Sequence, residues 1–428
     1  MATIEKYKLL TANGDVPFWQ LTIFIERKQK MYEIFADLHI HIGRSEKGKP
    51  IKITAARSLN FANIAKECAN RKGIQVCGII DCASPYVIED IENFLQTGEA
   101  YELEEGGIIY QDKVCILLGS EVETSEKGRN GKCGSAHNIC FFPHLEDIKG
   151  FSQEMSTHIK NITLSTQRSD VSGYELIDIV EKYHGILIPA HVFTPHKSYY
   201  GNCTDRLKDI FKEKYDKIFA IELGLSSDTY LADTISELET KTFLTNSDAH
   251  SLPKIAREYN KMEVESISFE EVVKALKNQE GRRIVANYGL DPKLGKYHRT
   301  YCDDCEQSIE TKEPVETCPM CGGKNVTFGV FDRIELIKDK PKTQSPENRP
   351  PYIYQIPLGF IPGVGGKTIT KLLDTFETEM NILHHLSKDD IEAVVGEKVA
   401  NNIENARNGN CQVHAGGGGN YGKIEVKK

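Results

Sequence analysis

No run of apolar residues reaches the roughly 18 that a membrane-spanning helix needs, which excludes a membrane protein of that kind. The chain also lacks an excess of positive charge. It carries 53 Lys+Arg against 62 Asp+Glu, a net charge of −9. That balance excludes wholesale attachment to nucleic acid through a basic field, but not a local contact surface. There is no long low-complexity tract and no repeat of solenoid length. No signal peptide is legible, so the 12 cysteines do not read as a disulfide framework. Four stand in paired C-x-x-C form; the rest are scattered, several inside apolar strands, and read as reduced thiols of a cytoplasmic protein. With 27% charged and 39% hydrophobic residues, the 428-residue chain has the make-up of a soluble globular protein of two or three domains.

Residues 1–30 lack the arginine-rich, acid-poor character of a transit peptide. The segment from Met31 (MYEIFADLHIH) reads as a domain start, so residues 1–30 are expected to be an extension that is not native; the alternative is a short accessory hairpin. From residue 31 to about 295, strand-like runs alternate with helical patterns: YEIFADLHI, IQVCGIID, VCILLGSEVE, NICFFP, GILIPAH, IFAIELG and TFLTNSDAH, separated by segments such as 59–73 and 172–185. Repeated strand–helix units predict an α/β domain with a mostly parallel sheet, barrel or doubly wound, whose function sits at the C-terminal strand ends. Residues 296–337 change to turns, short extended pieces and four cysteines. Residues 338–352, rich in proline and polar residues, read as a linker. Residues 353–428 read as helical, with a glycine-rich tail.

The strand ends carry the chemistry. In FADLHIHIGR, His39 and His41 are two apart and share one side of a strand, so they can grip one ion or one small cluster. Asp81 ends the next strand. Glu121 and Glu123 lie in the following one, His137 precedes NICFF, His191 ends GILIPAH, and Asp248 and His250 are again two apart. Imidazoles and carboxylates gathered at strand ends suit zinc, manganese or iron. A carboxylate such as Glu121 can bridge two ions, and paired ions hydrolyse phosphate esters. Glu123, Glu222 and Asp228 are further acids that would orient a ligand, touch substrate or face solvent.

DLHIH, GSE at 119–121, AHN at 136–138, PAH at 189–191 and SDAH at 247–250 resemble, in order, the metal motifs of the PHP (polymerase and histidinol phosphatase) family. The resemblance implies a distorted (β/α)7 barrel and metal-dependent phosphoester hydrolysis. Sites of that family often hold three metals, with an extra His soon after the first motif and another in the second. Here no histidine falls between His41 and His137, and only Asp81 or Cys82 is available. Two divalent ions (Zn, Mn or Mg) are therefore expected rather than three. They would acidify a water and offset charge in the transition state. Asp248 would ligate metal and orient the water, and Lys197 would add positive charge near the scissile phosphate or serve only as a loop lysine.

Cys302 and Cys305, then Cys318 and Cys321, form two C-x-x-C knuckles a dozen residues apart. That spacing predicts a four-cysteine ribbon around one structural zinc, which replaces a core too small to build. Its local acidity (Asp303, Asp304, Glu306) favours bracing over nucleic-acid binding. Further on, GFIPGVGGKTITKLLDTF (359–376) resembles one helix-hairpin-helix unit. In that family the hairpin glycines, here Gly363, Gly365 and Gly366, bring backbone N–H groups to a DNA phosphate, and Lys367 and Thr368 would assist. Residues 387–407 read as a weaker partner unit with VVGEKVA as its hairpin. A Walker A loop fails, because Ile361 stands where its first glycine belongs.

Phosphoesterase centre, ribbon and hairpin together, with the phrases ADLHIHIGR, PAHVFTPHKS, IELGLSSD and LTNSDAH, resemble the endonuclease Q family over nearly the whole chain from Met31. That resemblance implies a DNA repair endonuclease that cuts 5′ to deaminated bases (uracil, hypoxanthine, xanthine) or abasic sites, with DNA as partner and a sliding clamp as a further candidate. Phe193, Tyr199 and Tyr200 are candidates to stack on an extruded base, or are core aromatics. Three competing readings remain at this point: a small-molecule phosphatase like histidinol phosphatase, a PHP exonuclease, and a DNA-binding scaffold with a decayed barrel.

Overall fold

Strand β1 (Tyr32–Ile40) is buried from Ile34 onward and lies in the middle of the main sheet. In this computed structural model, residues 30–128, 131, 133–311, 313 and 315–426 are described. The expected N-terminal extension, apart from Lys30, lies outside the described residues. Residues from Met31 onward form one compact unit. No helix among the described residues is long and apolar enough to cross a membrane.

β1 is followed by β2 (Val76–Ile79), a short hairpin β3 (Ala100–Glu102) and β4 (Ile108–Tyr110), β5 (Val114–Lys127), β6 (Cys133–Phe142) and β7 (Ile186–Pro189). β8 (Ala220–Glu222), β9 (Thr242–Leu244), β10 (Tyr259–Val264) and β11 (Arg283–Gly289) complete the strands of this region. The sheet is mixed. β1, β2 and β5 run parallel, whereas β5–β6, β6–β7, β1–β10 and β10–β11 are antiparallel. A mostly parallel sheet was expected; the strand-to-strand links at β6, β10 and β11 are reversed. β8 and β9 form a separate parallel pair. Ladders among the described residues do not close a ring. Isolated backbone bonds join the pieces: Val192 N–H donates to the Glu222 carbonyl (3.0 Å), and Ala249 bridges to β1 by accepting from His41 N–H (3.1 Å) and donating to the His39 carbonyl (3.1 Å). The ends of β1, β5, β6, β7, β8 and β9 thereby converge on one side.

Helices cover this sheet for ordinary reasons. Ser172 caps the helix Gly173–Lys182 in a reciprocal box with Glu175, and Leu176, Ile177 and Val180 are its buried residues. The helix starting at Phe61 is capped by the Asn60 side chain and ends at Gly73, whose φ of 77° suits glycine.

The ribbon consists of β12 (Thr300–Cys302), β13 (Gln307–Ile309) and β14 (Val326–Thr327). The helix that follows it, Val330–Ile337, anchors it: Asp332 accepts bonds from Thr300 N–H (2.7 Å) and Arg299 Nε (3.1 Å), and Arg333 Nε donates to the Tyr200 carbonyl (2.7 Å).

Residues 338–352, expected as a linker, are pinned instead. The Arg349 guanidinium pairs with the fully buried Asp233 (2.9 Å) and lies 3.6 Å from the centre of the Phe243 ring. An ion pair of this kind needs partners for its remaining N–H groups, and the Leu238 carbonyl supplies one at 3.0 Å. The segment then becomes β15 (Tyr352–Tyr354), the edge strand beside β11. The helical region docks on the sheet from there. His384 stacks on Phe35 with centroids 4.6 Å apart, and Lys72 Nζ bonds Glu379 at 2.8 Å. The glycine-rich tail ends in a hairpin, β16 (Cys411–His414) with β17 (Lys423–Val426).

Candidate metal centre and nucleic-acid interface

Glu121 lies at the centre of the site. One carboxylate oxygen, Oε1, is 3.0 Å from His137 Nδ1, 3.5 Å from His191 Nε2 and 3.6 Å from His39 Nε2. The other, Oε2, is 3.6 Å from His41 Nε2. Asp248 Oδ1 is 3.5 Å from both His39 Nε2 and His41 Nε2. Two groups result, His39–His41–Asp248 and Glu121–His137–His191, whose ligand atoms lie within 4.8 Å of one another. Glu121 belongs to one group and lies 3.6 Å from both histidines of the other, so it could serve ions held by either.

The local fold explains this convergence. His39 is the penultimate residue of β1 and His41 follows its end, while His137 sits opposite Glu123 in the β5–β6 ladder. Asp37 holds the segment after β9 in place by accepting from Ser247 N–H (3.0 Å) and Ala256 N–H (2.8 Å). His191 and Asp248 have φ of 28° and 44°. Side chains rarely adopt such values outside sites where the surroundings enforce them.

The residues fit divalent ions. His39 Nε2 is buried, has no hydrogen-bond partner and faces Glu121 and Asp248. A buried polar atom without a partner is costly unless something binds it. The electrostatics agree. Burial depresses His39, but the Glu222, Asp248 and Glu121 carboxylates outweigh it and raise its pKa to about 10. Burial opposes ionisation of Glu121, yet His137 and Lys52 hold it well below the usual carboxylate range. The same holds for Asp248 between its histidine neighbours. The pocket is an array of ionised carboxylates that attracts cations, protons included.

Not every expected ligand falls in these groups. Asp81 stands behind His41: its carboxylate is 3.1 Å from His41 Nδ1 and accepts the Ile42 N–H at 2.6 Å. It therefore orients the ring rather than lying in either group. His250 stands beside them, with Nδ1 3.0 Å from the Asp248 carbonyl. Lys197 lines the cleft and is ion-paired to Glu123.

Phe193, Tyr199 and Tyr200 correct the expectation of base stacking. All three are fully buried. Phe193 stacks on Tyr200, Tyr199 donates to Asn138 Oδ1 (2.9 Å), and Tyr200 donates to Glu237 (2.6 Å). They are core aromatics whose hydroxyls are satisfied internally.

Sequence reasoning missed Lys52 and Thr166. Lys52 Nζ donates to Thr166 Oγ1 (2.6 Å) and lies 3.4 Å from Glu121 Oε2, and Thr166 Oγ1 donates to the same oxygen at 2.6 Å. Both sit in loops with no motif to mark them. The centre opens into a cleft of about 450 Å³, whose lining adds Lys254, Arg257, Lys296, Tyr297 and Tyr421.

In the ribbon, Cys302 Sγ lies 3.6 Å from Cys321 Sγ and Cys305 Sγ 3.7 Å from Cys318 Sγ. A tetrahedron with Zn–S bonds of about 2.3 Å has edges of about 3.8 Å, whereas a disulfide would bring sulfurs to about 2.0 Å. The quartet fits zinc. In the helical region, Gly363, Gly365, Gly366 and Lys367 are exposed and Thr368 is half-buried at the start of the helix Gly366–Phe376. A Cβ on Gly365 or Gly366 would meet nothing within 4 Å, so packing within the chain does not require glycine there. Gly396 joins the helices Lys388–Val395 and Glu397–Arg407 with φ 81°, the place expected for the second hairpin.

No family model matches the chain. Over 397 residues it is 46% identical to protein YqxK of Bacillus subtilis, covering 92% of this chain and all of that one. It is 38% identical over 255 residues to protein MJ0043 of Methanocaldococcus jannaschii, covering 55% of this chain and 31% of that protein. Among solved structures it resembles the lesion-specific endonuclease PfuEndoQ of Pyrococcus furiosus, with 30% identity, a TM-score of 0.77, and coverage of 93% and 96% of the two chains. An endonuclease Q complex with a 27-mer duplex bearing an abasic lesion at the active site matches with 30% identity, a TM-score of 0.78, and coverage of 93% and 97%. The chain belongs to the endonuclease Q family.

Proposed function

We propose that this protein is a metal-dependent DNA repair endonuclease that incises the phosphodiester 5′ to deaminated bases or abasic sites, using two divalent ions. The observation that carries the reading is the position of Glu121 between two imidazole-containing groups, beside a cleft whose lining includes His137, His191, Asp248 and the cations Lys197, Lys254, Arg257 and Lys296. His39, His41 and Asp248 would hold one ion, and Glu121, His137 and His191 the other. Bound there, divalent ions would supply an acidified water and offset charge on the transferring phosphoryl group.

The chain's own residues do the rest. Glu222 fixes the His39 ring, with Nδ1 3.0 Å from its carboxylate oxygens, and so aims Nε2 at the ion position. Asp81 does the same for His41. Lys52 and Lys197 bring positive charge to the cleft, where an anionic phosphodiester would lie. The hairpin at 363–368 offers unblocked backbone N–H groups and Lys367 to a flanking phosphate, which positions DNA without reading its sequence. The ribbon is anchored on the metal-bearing region through the helix that follows it, where Arg333 holds the Tyr200 carbonyl.

The test uses 5′-labelled duplexes with one uracil, one hypoxanthine, one abasic site or none, in Mg²⁺ or Mn²⁺. The expected result is a single nick 5′ to the lesion, leaving a 3′ hydroxyl, with the undamaged duplex intact. Stepwise shortening would mean an exonuclease. Phosphate release from a small ester, without any cut in DNA, would overturn the reading in favour of a metabolite phosphatase.

A further inference from the structure

The glycine-rich tail has no part in the chemistry above, yet it is fitted closely to the cleft. Gly416 N–H donates to the Lys293 carbonyl (2.7 Å) and Gly422 N–H to the Leu294 carbonyl (3.0 Å). The glycines are what allow this approach. A Cβ on Gly416 would come within 2.8 Å of the Gly295 carbonyl oxygen, and one on Gly418 (φ 55°) within 2.5 Å of the Tyr301 ring. Residues 415–422 are thus a strap laid against the segment 293–301, not a spacer.

The strap delivers one aromatic side chain, Tyr421, into the lining of the cleft, where Tyr297 also stands. Two cations hold the tyrosine. Arg257 Nη1 donates to its hydroxyl (2.9 Å), and Lys296 Nζ lies 4.6 Å from the ring centre. Arg257 is itself buried and donates from Nε to the Ser247 carbonyl (2.7 Å), the residue before the metal-group aspartate Asp248. One side chain therefore ties the ring to the metal segment. The ring is only half-buried. A tyrosine serving as a brace would bury its ring in apolar neighbours; this one is held through its hydroxyl and by two cations near its ring, Lys296 Nζ 4.6 Å and the Arg257 guanidinium 5.6 Å from its centre, and it lines the cleft.

We propose that Tyr421 is a base-binding residue: it packs against the base of the nucleotide drawn into the cleft, whichever base that is. The proposal rests on the endonuclease reading above. An aromatic ring stacks on any nucleobase and is indifferent to its edge pattern. It also replaces the role expected of Phe193, Tyr199 and Tyr200, which the core has claimed.

Abasic DNA provides the control, because it presents the same backbone and no base. Steady-state incision is compared on uracil and abasic duplexes for the full-length wild type, Tyr421→Ala and Tyr421→Phe, with thermal melting to check the fold. The expected result for Tyr421→Ala is a loss of kcat/KM on uracil DNA on the order of tenfold to a hundredfold, mainly in KM, and little change on abasic DNA. Tyr421→Phe, which keeps the ring, should retain activity on both. Should Tyr421→Ala fail to fold, Tyr421→Leu against Tyr421→Phe gives the same contrast. Equal losses on both substrates, or none on either, would overturn the proposal. A wild type that cuts abasic but not uracil DNA would sink the stacking role and leave the endonuclease reading intact. A wild type that cuts neither would remove both.

Discussion

Glu222 and His39 face each other with both carboxylate oxygens 3.0 Å from the imidazole Nδ1. The same carboxylate accepts the His191 N–H (2.9 Å) and an Asn246 Nδ2–H (3.0 Å). One buried acid therefore sets the orientation of one metal-group histidine and the backbone of another. Glu222→Gln keeps the shape and removes the charge. It is expected to weaken divalent-metal binding by about 10- to 100-fold, measured by calorimetric titration. Unchanged affinity would mean that Glu222 only supports packing.

Lys52 reaches the bridging carboxylate from a loop, at 3.4 Å from Glu121 Oε2. Lys52→Met is expected to lower the single-turnover incision rate on the order of 10²-fold, with DNA affinity nearly unchanged. Lys52→Arg should recover part of the loss. A defect confined to DNA affinity would assign Lys52 to binding instead.

Loss of a zinc held by the four ribbon cysteines would be a folding event. The cluster of sulfurs at 3.6 and 3.7 Å is the ribbon's main core, joined by Ile309 and little else. Cys318→Ser is expected to remove one zinc per chain and make residues 296–328 sensitive to protease, because binding energy here is folding energy. Undiminished protease resistance would contradict that view.

Docking of the helical region should weaken in acid. Burial, aided by His385, Lys261 and Arg407, lowers the His384 pKa from 6.5 to about 4. The folded protein therefore resists a proton that the unfolded chain accepts. The stabilising contribution is complete above about pH 6.5 and is lost as pH falls toward 4. Thermal melts across that range should show a smaller acid loss for His384→Phe than for the wild type. Parallel curves would refute the assignment.

Lys367, exposed at the hairpin, should act on DNA only through phosphate. Lys367→Ala is expected to weaken binding equally for damaged and undamaged duplexes and to reduce the salt-dependence slope by about 1. A change in lesion preference would place Lys367 nearer the base.

Much of this site was legible in the sequence because His39, His41, His191, Asp248 and His250 lie at or shortly beyond strand ends and alternate strand residues share a side, whereas Glu121 and His137 fall inside the long strands β5 and β6. His39 with His41, and Asp248 with its strand, followed from spacing alone, as did the four cysteines. Other features depended on tertiary packing that periodicity does not encode. Asp81 ends a strand like a ligand, but the His41 ring takes its carboxylate. Tyr199 and Tyr200 fall in a stretch rich in polar residues, yet they open a short helix (Tyr199–Cys203) and both hydroxyls find buried partners. Lys52, Thr166 and Tyr421 lie far from any motif, and residues 338–352 look like a linker until Arg349 meets Asp233.

The central claim is that the imidazole–carboxylate centre cuts DNA at lesions. Its most direct test pairs metal content with incision of a duplex bearing one abasic site, for the wild type, His39→Ala and Asp248→Asn. Both variants should fold, lose bound divalent metal and lose the nick together. A variant that loses its metal yet still nicks the lesion strand at the wild-type rate would contradict it.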